Sequence, residues 1–133
     1  NPLSAVSFKN NLTTILDLAA HRNDRVMLMT FASHVPKDYS KEAFLEKRLN
    51  YTLHSTPIEI WGDRDNVLKT IAVHNEVVRD LANRNDDILF VDQASLMDGL
   101  HHCFNDPCHF TIVGTLTFTG HLLRVLLPTI QVE

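Results

Sequence analysis

Val26-Met27-Leu28-Met29-Thr30-Phe31 is the stretch that sets the fold class. The run is too short for a helix and too continuously apolar for a half-exposed strand. It reads as a strand covered on both faces, the pattern of a parallel sheet with helices above and below. Upstream, Phe8, Leu12, Ile15, Leu16 and Ala19 form a stripe at helical spacing, with Ser7 as the expected N-cap. Downstream, Val67, Ile71, Val77, Val78 and Leu81 predict a second helix, begun by Asp63 or Asp65. Ile88-Leu89-Phe90-Val91 then repeats the buried-strand pattern and ends at Asp92. Short helices are expected within 41–49 and 93–100, and a last one over about 115–127, stopped by Pro128.

The order helix, strand, long loop, helix, strand, loop, helix implies parallel strands joined by crossover helices, an α/β fold. Residues 1–133 are the length of one domain. Two doubly buried strands make a poor sheet, because each wants neighbours on both edges. Either further strands hide in the segments read as loop, or the chain is part of a larger sheet. The connection from about Ala32 to Asp65 is long for a compact domain, which marks it as functional or braced.

The net charge of -4, with no lysine- or arginine-rich run, argues against a nucleic-acid partner. No membrane span is expected. Two cysteines five positions apart leave the compartment open.

The chemistry concentrates in His101-His102-Cys103-Phe104-Asn105-Asp106-Pro107-Cys108-His109-Phe110-Thr111. Three readings compete. Cys103 and Cys108 with two of His101, His102 and His109 could form a zinc tetrahedron, although no second cysteine pair exists elsewhere. Cys103 and Cys108 could instead close a small disulfide loop. In the third reading Asp106 orients His109, as the carboxylate does in a Ser-His-Asp hydrolase, with Pro107 restricting the turn between them. Asp98-Gly99-Leu100-His101 has the same spacing. Asp106–His109, however, follows the second strand, where ligand sites of open α/β sheets lie.

Asp106-Pro107-Cys108-His109-Phe110-Thr111, with Gly114 three residues on, resembles the last conserved block of the SGNH (GDSL-type) hydrolases. The Val26–Thr30 strand, the helix carrying Asn75 and Val78, and Ile88–Asp92 are similar to the segments that lead to that block. The resemblance implies a partial three-layer, flavodoxin-like domain, with a short parallel sheet flanked by helices. It implies Asp106 as orienting acid and His109 as general base, then general acid. The family's Gly-Asp-Ser nucleophile motif and its Gly-x-Asn-Asp block are absent. The chain therefore looks like the C-terminal portion of such an esterase, inactive alone, with nucleophile and oxyanion donors supplied by an N-terminal half.

On this reading the substrate is a carboxylic ester, and neither a cofactor nor a metal is needed. The alternative is a non-catalytic binding or assembly module that self-associates through an open sheet edge, with or without a metal at the Cys–His cluster. Ser33-His34 is weighed as a substitute nucleophile and base, Trp61 as a pocket wall, and Asp92 as a brace for the His109 loop.

Overall fold

The two apolar runs pair with each other. In the computed structural model, which describes residues 3–130, Met27–Met29 (β1) and Leu89–Val91 (β2) form a parallel two-stranded sheet with Leu28 opposite Phe90. Asn1, Pro2 and residues 131–133 of the expected domain lie outside the described residues. The helices are α1 (Leu3–Arg22), α2 (Lys41–Leu45), α3 (Arg64–Asn83), α4 (Gln93–Leu96) and α5 (Ile112–Leu126). The fold is thus α/β, with a small parallel sheet and α3 in the crossover between its strands.

Alternation of hydrogen bonds along β1 leaves one edge open. Leu89 N–H donates to Val26 O at 3.0 Å, and Thr30 N–H donates to Val91 O at 3.2 Å. Alternate residues of a parallel strand serve opposite neighbours, so Met27 and Met29 turn their backbone polar groups away from β2. At the end of that edge Asn75 of α3 stands in for a strand. Its Oδ1 accepts from Phe31 N–H at 2.8 Å, and its Nδ2 donates to Phe31 O at 3.0 Å. The expectation that β1 is covered on both faces fails here, since Met29 and Phe31 are 38% and 53% exposed.

Helix α1 starts at Leu3, so Ser7 lies inside it rather than capping it. It packs on α3, with Phe8 stacked on His74 at 4.5 Å between ring centroids. Ile15 falls on the apolar stripe yet is exposed. Asp63 caps α3 as expected, accepting from Asn66 N–H. Helix α5 begins at Ile112, three residues before its expected start, because Thr111 caps it through Gly114 N–H.

Ile112–Thr129 also corrects the expectation that no segment reaches spanning length. Its 18 residues, at mean hydropathy 1.2, are long and apolar enough to cross a membrane by length and composition alone. Polar contacts tie it to the rest of the chain. Gln93 Nε2 donates to Phe118 O at 3.1 Å, and His121 Nδ1 lies 2.9 Å from Gln93 Oε1.

The long connection is braced by being the core. Tyr39, Phe44, Tyr51 and Ile58 from it pack with Met97 and Phe104. Tyr39 is pinned by its hydroxyl, which donates to Glu59 Oε2 and accepts from Ile58 N–H. Burial pushes that phenol up to about 12.

Asp92 joins β2 to β1 and α3. It accepts from Thr30 Oγ1 at 2.8 Å and from Arg79 Nε and Nη2 at 3.0 and 2.9 Å. The Arg79 guanidinium, aided by Thr30 and Ser95, holds the Asp92 carboxyl far below the usual carboxylate range. A depressed folded value means stability present above the unfolded value, near pH 4, and lost as pH falls below it. Asp92→Asn should therefore cost about 1–3 kcal/mol at pH 7. Urea unfolding should show that deficit shrinking between about pH 4 and pH 2.

Candidate active site

The loop carrying Asp106 and His109 is a closed finger. Phe104 and Phe110 form an antiparallel bridge at its base. Asn105 N–H donates to His109 O at 2.7 Å, and Asn105 Nδ2 donates to Phe110 O at 2.8 Å. The long connection clamps it from outside. Leu53 and His54 N–H both donate to Asn105 O, at 3.1 and 2.8 Å, and His34 N–H donates to Pro107 O at 3.0 Å. His54 bends into the left-handed region, at φ 57°, to bring both donors onto one oxygen.

Within the finger Asp106 is fully buried and His109 is exposed. The Asp106 oxygens lie 2.8 and 2.9 Å from His109 Nδ1. Oδ1 also accepts the backbone N–H groups of Cys108 (3.1 Å) and His109 (2.9 Å). A carboxylate bound to Nδ1 selects the Nδ1–H tautomer and leaves the lone pair on Nε2. The ring's side chain is 60% exposed, and no hydrogen bond engages Nε2 among the described residues. The arrangement is an oriented imidazole with its basic nitrogen facing solvent.

The spacing to Gly114 has a steric cause. Thr111 N–H donates to Cys103 O, and Thr111 Oγ1 donates to His102 O, so the start of α5 lies against the base of the finger. A Cβ at Gly114 would sit 2.0 Å from Cys103 O, backbone against backbone. Only glycine lets α5 approach this closely.

The competing readings of the cluster are corrected. Cys103 and Cys108 are both free thiols, with Cys103 buried among the core residues. The zinc set drawn from Cys103, Cys108, His101, His102 and His109 does not converge. Among the described residues, the donors that gather are Asp106, Cys108 and His109. Cys108 Sγ lies 3.6 Å from His109 Nδ1, not from the free nitrogen. Burial and the Asp106 charge push the thiol up to about 11, which makes it a poor nucleophile as it stands.

Ser33-His34 is not a nucleophile–base pair. The His34 ring packs 5.7 Å from both Tyr51 and Phe104, and burial lowers its proton affinity. Asp92 braces the sheet rather than the His109 loop. Trp61 does line a groove of about 510 Å³ with Phe8, Met29, Phe31, Ile71 and Val78, but neither Asp106 nor His109 lines it. Asn105, Leu53 and His54, which set the finger's shape, act mainly through backbone groups and carry no side-chain signal in the sequence.

No known family model, curated protein or solved structure matches this chain.

If close approach at Gly114 is what seats the finger on α5, Gly114→Ala should cost about 3 kcal/mol in urea unfolding, although alanine is the better helix former. A variant as stable as the parent would remove the steric account of the Asp-x-x-His-x-Thr-x-x-Gly spacing.

Proposed function

We propose that the chain carries the acid–base half of a carboxylic ester hydrolase of SGNH type, within a partial flavodoxin-like domain. The observation that supports this reading is the buried Asp106 carboxylate on His109 Nδ1, with Nε2 open to solvent. In this role His109 Nε2 removes the proton of a serine hydroxyl, whose oxygen attacks the ester carbonyl. Asp106 stabilises the imidazolium that forms. The imidazolium then protonates the departing alkoxide, and a second cycle with water as nucleophile releases the acid.

The serine and the oxyanion donors are to be supplied by a segment outside this chain. The open edge of β1, exposed at Met29 and Phe31, is where the remaining strands would add. The substrate class on this reading is an acylated sugar or lipid. The assembly-module alternative draws on the same edge but gives no account of the Asp106–His109 pair.

The isolated chain should hydrolyse p-nitrophenyl acetate no faster than a free imidazole control. In the assembled enzyme, His109→Ala should lower kcat by about 10⁴-fold or more while the circular dichroism spectrum stays unchanged. Near-normal turnover of that variant would end the assignment.

A further inference from the structure

We propose that Asp106, Cys108 and His109 form a zinc-class metal site that competes with the Asp106–His109 hydrogen bond. Binding itself does not depend on the hydrolase reading; only its inhibitory consequence does.

The donor set mixes one soft sulfur, one imidazole and one carboxylate, the ligands zinc accepts. Their ligand atoms all lie within 4.8 Å of one another. The spacing is that of one coordination sphere. A tetrahedral ion with bonds of about 2.3 Å to sulfur and about 2.0 Å to nitrogen sets those atoms about 3.5 Å apart. Cys108 Sγ and His109 Nδ1 are 3.6 Å apart. The oxygen–nitrogen edge of the same tetrahedron is about 3.3 Å. Asp106 and His109 stand at 2.8–2.9 Å, so this hydrogen bond must open by about half an ångström.

The site is built on one side and open on the other. Asp106 is fully buried and fixed by two backbone N–H groups, while the exposed His109 ring leaves a fourth position to water. Three protein ligands and one water make an open coordination sphere.

Proton accounting gives the consequence. The metal takes His109 through Nδ1, whose proton leaves to solvent while Nε2 gains one, so the imidazole stays neutral. The Cys108 thiol releases its proton to water and binds as thiolate. With Nε2 now carrying the proton, His109 has no lone pair for a serine hydroxyl. The metal-bound form is thus switched off as a base, while the metal-free form is competent.

The test is cobalt(II) titration of the purified chain under reducing conditions, followed by absorption spectroscopy, with zinc(II) as competitor. The expected result is a thiolate-to-cobalt charge-transfer band that zinc abolishes. Cys108→Ser and His109→Gln should each lose the band or weaken zinc binding by more than about 100-fold. Cys103→Ala should retain it. Cys108 and His109 lie outside the buried core, and each variant is to be matched to the parent by circular dichroism before titration. Absence of the charge-transfer band in the parent overturns the proposal, as does its persistence in Cys108→Ser. Because the readout is spectral, failure here is distinct from failure of the hydrolase reading, which turnover reports.

Discussion

A carboxylate with no exposed surface has to be satisfied inside the protein, and Asp106 is satisfied almost entirely by its own loop. It takes the N–H groups of Cys108 and His109 and the Nδ1 of His109. A buried charge left without such partners would cost several kcal/mol, so the loop closes around the carboxylate. That closure aims His109. The same interaction therefore holds the finger's shape and fixes which nitrogen of the imidazole is basic, and it is the interaction a metal ion would have to displace.

The finger is rigid because other segments complete it. The connection between β1 and α3 places Tyr39, Phe44 and Tyr51 in the core and the N–H groups of Leu53 and His54 on Asn105 O. Gly114 lets α5 come within contact of Cys103. The sheet, by contrast, is left incomplete. Asn75 satisfies only the Phe31 end of the β1 edge, and Met29, Phe31 and Trp61 remain exposed beside it. The finger is held from several sides, whereas the β1 edge is met only at its Phe31 end.

The elements with strong periodicity were legible in the sequence. The apolar runs at Val26–Phe31 and Ile88–Val91 are the paired strands, and the Val67–Leu81 stripe is α3 capped by Asp63. The Asp106–His109 contact is one of the three readings the loop allows, favoured by its place after the second strand and not by spacing, which Asp98–His101 shares. What stayed hidden had no local pattern. Ser7 looked like a cap because serine is a good one, but α1 runs past it from Leu3. The role of the long connection rests on tertiary contacts between Tyr39, Tyr51 and Phe104, residues far apart in the chain. Asp92 was placed correctly at a strand end, but its partner Arg79 lies across the sheet on α3 and no spacing rule connects them.

Nitrogen NMR of His109 in the metal-free chain reads directly which ring nitrogen carries the proton. Ring ¹⁵N shifts and couplings, recorded at a pH where the imidazole is neutral, distinguish the two tautomers. Protonated Nδ1 with an unprotonated Nε2, reverting to a mixture in Asp106→Asn, is the predicted result. A neutral ring protonated on Nε2, or a spectrum indifferent to the loss of the Asp106 charge, would mean that the carboxylate does not orient the base.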